Sequence, residues 1–199
     1  MKHLDNREDF RTDEEFANFR NLTLANHKSM TFFRSASAVK NKYGRASTVQ
    51  QLMQKNSIHL IVDFSNVEYR CMSDEFGFIL VQKLRAILRE DSPYIIQCDA
   101  GKKRTGFVCL ILEMLSGTSY TDIVNDYLES YKNNNGLNFL ANPEIAKDIE
   151  VQKIQKLIHY MNGNQDFEKT NLEKIAYSFL QRYDMSQRET QILQQKLYQ

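Results

Sequence analysis

The sequence predicts an α/β fold: a central, mainly parallel sheet flanked by helices, with a helical C-terminal extension. Three observations carry that prediction. Residues 58–64 and 93–97 are short runs rich in β-branched side chains and bounded by polar residues, as buried strands are. Each is followed by a stretch whose apolar residues recur at helical spacing. From Asn142 onward the pattern is helical only, so the order is strand, helix, strand, helix and then helices. Composition permits a core of that kind: of 199 residues, 42% are hydrophobic and 11% aromatic, which excludes wholesale disorder.

Taken in order, residues 1–30 read as peripheral, with acidic clusters at Glu8-Asp9 and Asp13-Glu14-Glu15 and aromatics at Phe10, Phe16 and Phe19. Two further runs, 31–34 and 67–71, read as strands. Residues 47–55 place Val49, Leu52 and Met53 on one helical face. Residues 76–88 do the same with Phe76, Leu80, Leu84 and Ile87, and Asp74 is placed to cap that helix. Residues 105–115 are apolar nearly all round, the pattern of a central helix packed on a sheet. Gly117 stops it, and Thr121 opens a helix carrying Ile123, Val124, Tyr127 and Leu128. Three helices with polar faces are expected at 145–161, 172–182 and 186–197. The chain divides into an α/β core with an N-terminal extension (1–141) and a helical C-terminal extension of the same domain (142–199).

Charge and cysteine content narrow the function. Lys and Arg number 26 against 25 Asp and Glu, a net charge of +1 that argues against a nucleic-acid partner. No apolar run approaches the ~18 residues of a membrane span, and residues 1–13 are too polar for a secretory leader. Three cysteines make no disulfide framework, so a reducing, cytoplasmic setting is expected. The histidines, His3, His27, His59 and His159, show no metal spacing, and neither metal nor organic cofactor is implied. Cys71 reads as an inert buried thiol or a redox partner for Cys98, and Cys109 as core.

The chemistry concentrates in residues 94–107: a strand, Cys98, five residues, Arg104-Thr105-Gly106, then the apolar helix. A loop that leaves a strand's carboxyl end and opens a helix is an anion site, because successive N–H groups point inward and the helix dipole favours negative charge. Asp99, Ala100, Gly101, Lys102, Lys103 and Arg104 supply those amides. Gly101 permits close backbone approach, and Arg104 offers a planar fork for two phosphate oxygens. The same field favours the thiolate of Cys98, a nucleophile beneath a bound phosphoryl group. Thr105 can donate its hydroxyl proton to that sulfur. Leaving-group protonation needs a carboxylic acid. Asp74, ahead of the helix preceding Cys98, is the first candidate, with a plain capping role as the alternative; Asp63, ending a strand, is second and Asp99 third.

Cys98 to Gly106 resembles the signature of cysteine-dependent phosphatases of the protein-tyrosine and dual-specificity superfamily. Its Ala-Gly-Lys-x-Arg-Thr-Gly core is similar to the bacterial tyrosine phosphatase branch. So are Asn18-Phe19-Arg20-Asn21, Phe33-Arg34-Ser35-Ala36, residues 41–45 and 58–64, and residues 119–128 around Asp126-Tyr127. The likeness runs from about Asn18 to about Asn135. The chain departs from that branch at Gln97, where the family usually has His, and at Lys103, where the branch has an acid. The interval from Asp63 to Cys98 is also shorter than the branch's. The resemblance implies a cysteine-phosphatase-like sheet and phosphate monoester hydrolysis through a cysteinyl-phosphate intermediate. The substrate would be a phosphorylated protein or, because Lys102 and Lys103 add cations to the loop, a phosphoinositide or inositol phosphate. A catalytically weak phosphate-binding module is the other alternative.

Overall fold

The computed structural model describes residues 4–25, 27–91, 93–167 and 170–198; His3 lies outside them. A short helix α1 (Asp13–Ala17) leads into the hairpin β1 (Arg20–Leu24) and β2 (His27–Ser35). There follow α2 (Ala46–Lys55), β3 (Leu60–Asp63), α3 (Asp74–Arg89), β4 (Tyr94–Gln97), α4 (Lys103–Leu115) and α5 (Tyr120–Asn135). The C-terminal part is α6 (Pro143–Ile149), a π-helical segment (Glu150–Gln155), α7 (Lys156–Met161), α8 (Leu172–Arg182) and α9 (Gln187–Leu197).

The four strands form one sheet in the order β1-β2-β4-β3. β1 pairs antiparallel with β2, whereas β4 is parallel to both β2 and β3. All four residues of β4 are buried, and Tyr94, Ile95 and Ile96 read as a continuous apolar run for that reason. Successive side chains of a strand take opposite faces, and β4 follows that rule. Ile95 joins Phe19, Phe33, Val49 and Leu52 on the α1–α2 face. Tyr94 and Ile96 join Phe32, Val62 and Phe107 on the face covered by α3 and α4. Register sets up the site, because Gln97 is level with Ser35 on one side and Asp63 on the other. The carboxyl ends of three parallel strands therefore stop together, and their outgoing loops gather at one edge.

Helix α4 is buried along its whole length from Thr105 to Leu115, between the sheet and the C-terminal helices. Phe107 meets Phe179 of α8 edge to face, with ring centroids 5.7 Å apart. Arg85 of α3 pairs with Glu189 of α9 at 2.7 Å. The residues buried together in that core extend from Leu22 to Leu197.

Four expectations need correction. Residues 13–24 are not peripheral: Phe16, Ala17, Asn18, Phe19, Leu22 and Leu24 are buried, and β1 is a strand. Its polar residues conceal it in the sequence, since Arg20 is satisfied by Asp126 of α5 rather than by water. Residues 67–71 form bends rather than a strand. Residues 145–161 hold a π-helical segment in place of a single α-helix. Ser73, not Asp74, caps α3, its hydroxyl accepting from Phe76 N–H. Among the described residues no helix is long and apolar enough to cross a membrane.

Candidate active site

Cys98 follows β4 at the sheet's carboxyl edge, and Lys103 opens α4 five residues later. The chain between them turns with its carbonyls directed backward. Asp99 O accepts from Ser37 N–H at 3.4 Å. Ala100 O accepts from the Asn18 amide at 3.3 Å, and Gly101 O from Asn18 at 2.9 Å and from Arg34 at 3.0 Å. Across a planar trans peptide the N–H points opposite to the C=O. The amides of Ala100 and Lys102 are thereby turned toward the side occupied by Cys98, while Gly101 N–H closes the turn by donating to Cys98 O at 3.0 Å. Helix α4 has no side-chain cap at its start, so its first N–H groups are available to an anion.

Asn18 is held by its own backbone and by a charge network. It ends α1 in the left-handed region at φ 49°, a conformation Asn tolerates better than most residues. Its side-chain oxygen accepts from Arg20 at 2.7 Å. Arg20 and Arg34 both bind the Asp126 carboxylate, and both donate to Ser130 Oγ. Burial alone pushes the Asp126 carboxyl up, but the guanidiniums of Arg20 and Arg34 outweigh it and hold it down to about 2. Gly101 takes φ +63°, with Ser35 O so close that a Cβ there would lie 2.3 Å from it. Only glycine fits.

The loop floors a cleft of about 570 Å3. Cys98, Asp99 and Ala100 form its base; Lys102, Lys103 and Arg104 line it from the helix side. Lys42 and Tyr43, then Glu68, Tyr69, Arg70 and Cys71, line it from the two other loops at that edge. Arg104 donates to Phe64 O at 3.4 Å and lies 3.7 Å from the Asp99 carboxylate, a long, partly solvated pair that a phosphate dianion can displace. Lys102 turns along the wall: Nζ donates to Asn135 at 2.8 Å and sits 4.6 Å over the Tyr131 ring. Burial, then the charges of Lys103 and Arg45, bring its ammonium down to about 8. Burial, then the neighbouring Cys98, push the Cys71 thiol up to about 11.

A family model described as the tyrosine phosphatase family matches residues 3–199. The chain belongs to the tyrosine phosphatase family. A comparison with curated proteins finds no match. The matched stretch takes in the C-terminal helices of the phosphatase as well as the sheet and the Cys98 loop.

The structure brings together Cys98, Asp99, Ala100, Lys102, Lys103 and Arg104 around the phosphatase cleft. Gly101 is buried beneath them, and the Thr105 hydroxyl is buried without a hydrogen-bond partner. The two leading acid candidates are not among the lining residues. Asp63 accepts from the N–H and hydroxyl of Ser65 at 3.0 and 2.7 Å. Asp74 accepts from the Tyr183 hydroxyl at 2.8 Å, and Tyr183 in turn meets the Tyr160 hydroxyl at 2.9 Å. The Gln97 side-chain oxygen accepts from Ala38 N–H at 3.0 Å, while its amide nitrogen is buried without a hydrogen-bond partner. Sequence reasoning assigned no role to Asn18, Arg34 or Asp126, although all three lie in the segments that resemble the family; nor did it single out Lys42, Glu68 or Arg70. A second cleft, about 580 Å3, lies against the π-helical segment between Tyr120 and Leu172. No cysteine is among its described lining residues.

Proposed function

We propose that this phosphatase hydrolyses phosphate monoesters through a covalent phosphoenzyme on Cys98. The observation that carries the reading is the loop whose carbonyls are tied back to Ser37, Asn18 and Arg34, turning its amides to the nucleophile's side. A dianion held by those amides and by Arg104 presents phosphorus to Cys98 Sγ, and the charge that develops meets dipoles already oriented for it. The S–P bond forms as the ester P–O bond breaks. Water then attacks phosphorus, releasing inorganic phosphate and the sulfur. The Thr105 hydroxyl, which has no other partner, can donate to the sulfur as it departs. Cys98→Ser should abolish hydrolysis of an aryl phosphate, and rapid quenching of wild type should trap phosphate on Cys98. Turnover that persists in Cys98→Ser would overturn the mechanism, and phosphate binding with no turnover in wild type would make the loop a binding module.

A specific observation favours a polyphosphorylated substrate over an isolated phosphotyrosine. Besides Arg104, the cleft is lined by Lys42, Arg70, Lys102 and Lys103, more cations than one phosphate requires. The panel that decides it compares a phosphotyrosine peptide, a phosphoserine peptide and mono- to polyphosphorylated inositides, with Lys102→Ala and Lys103→Ala beside wild type. Preference for polyphosphorylated substrates, weakened in either variant, is the expected result. Phosphotyrosine best throughout would leave the lysines as steering charges.

A further inference from the structure

Building on the phosphoenzyme reading, we propose that Glu68 is the general acid that protonates the leaving oxygen. In-line displacement fixes where that acid must stand. The sulfur attacks from the base of the cleft, so the ester oxygen departs on the opposite side, toward the mouth. A proton donor has to come from the rim.

Two carboxylates, Asp99 and Glu68, are among the residues that line the cleft. Asp99 follows the nucleophile directly, and its carboxylate lies 3.7 Å from Arg104. It belongs to the base and the phosphate clamp, on the wrong side of phosphorus for the leaving group. Glu68 stands on the connection between β3 and α3, exposed to solvent beside Tyr69 and Arg70 of the same wall. Asp63 and Asp74, the two acids the sequence favoured, do not line the cleft and are engaged by Ser65 and Tyr183. The loop position beside Arg104 is Lys103 and offers no carboxylic proton.

The step balances. As Cys98 Sγ bonds to phosphorus and the ester bond breaks, the carboxylic proton of Glu68 passes to the departing oxygen, leaving an alcohol and the Glu68 carboxylate. In the second half-reaction that carboxylate takes a proton from the attacking water. The S–P bond then breaks, releasing phosphate and restoring the protonated acid.

The test compares wild type, Glu68→Gln, Asp99→Asn and Asp74→Asn on phenyl phosphate, whose leaving group needs a proton, and 2,4-dinitrophenyl phosphate, whose leaving group does not. Glu68→Gln should lose about 10² to 10⁴-fold in kcat/KM on phenyl phosphate and far less on the dinitrophenyl ester. The basic limb of its pH profile on phenyl phosphate should flatten. Glu68 is exposed and holds no part of the core, and an unchanged melting temperature confirms the fold. Equal losses on the two esters, or none, would overturn the proposal. So would the steep leaving-group dependence appearing in Asp99→Asn or Asp74→Asn. Failure of the underlying mechanism is read separately, as turnover retained in Cys98→Ser.

Discussion

Replacing Gly101 by alanine tests whether the loop's shape, beyond its composition, makes the site. Gly101 sits at φ +63°, and an added Cβ would meet Ser35 O at 2.3 Å, Ser35 C at 2.4 Å and Ala36 N at 2.7 Å. All three are backbone atoms at the end of β2, whose register with β4 is fixed at Ser35 and Gln97. No rotamer change relieves the overlap. To bring the closest contact from 2.3 Å to the 3.0 Å that real Cβ atoms respect, loop and strand must part by about 0.7 Å. Gly117 supplies the control, with φ +73° and nothing within 4 Å of its Cβ position. Gly117→Ala should cost the backbone term alone, about 1–2 kcal/mol. Gly101→Ala adds the displacement, for a total of about 3–4 kcal/mol. At roughly 2–4 °C per kcal/mol for a chain of this size, melting should fall by about 6–16 °C, against about 2–8 °C for the control. The shift also pulls the Ala100 and Gly101 carbonyls off Asn18 and Arg34, and misplacement on the order of 1 Å costs about 10²-fold in rate. Calorimetry and aryl phosphate hydrolysis on the two variants measure both effects. A Gly101→Ala protein that melts like Gly117→Ala, or that keeps wild-type kcat/KM, would refute the reasoning.

The remaining predictions concern charge. Because Arg20 and Arg34 hold Asp126 down to about 2, its contribution is present above the unfolded value of about 4 and is lost as pH falls toward 2. Urea melts of wild type should weaken across that window. Asp126→Asn, already destabilised by about 3–5 kcal/mol through two unpaired buried cations, should show a flatter profile, and an equal slope would remove Asp126 from that role. Lys102, lowered to about 8 by burial and then by Lys103 and Arg45, should acetylate half-maximally near that pH, well ahead of ordinary lysines at about 10.4; mass spectrometry showing it in step with exposed lysines would count against its buried position. With its thiol pushed up to about 11 by burial and by Cys98, Cys71 should resist iodoacetamide at about pH 8. Rapid labelling there would show that it is not enclosed by the cleft wall.

What could be read from the sequence follows the range of the interactions involved. β3, β4, α4 and α8 were legible because burial writes a short-range pattern, an apolar run or a helical period, into consecutive residues. The loop was legible for the same reason, since cysteine, glycine, arginine and helix start lie within one local turn. Arg20 escaped because its carboxylate partner, Asp126, lies on α5, far along the chain. The placement of Asp74 escaped likewise: its position ahead of α3 is local, but its direction is set by Tyr183, which also packs against Gly77 so closely that a Cβ there would lie 2.5 Å from the ring. The π-helical segment hides within residues 145–161 because a single local widening leaves the helical period nearly unchanged.

Those long-range partners explain why the loop has a fixed shape before any substrate arrives. On the side away from the cleft, Asn18 and Arg34 hold its carbonyls with three hydrogen bonds, at about 1 kcal/mol each and up to about 3 where the donor is charged. Asp126 keeps Arg34 in place, and Arg20 keeps both Asp126 and Asn18 in place. From behind, α4 is locked by burial from Thr105 to Leu115, with Phe107 clamped against Phe179 of the C-terminal helices. A loop ordered in this way loses little conformational entropy when phosphate binds, so its amides contribute nearly their full electrostatic value to the charge that develops. The charges that fix the cradle are buried behind it, whereas those that line the cleft, Arg104, Lys102 and Lys103, stay at least partly open to it. Substitutions in the first group should therefore damage stability and rate together, and substitutions in the second should change rate or selectivity while leaving the fold intact.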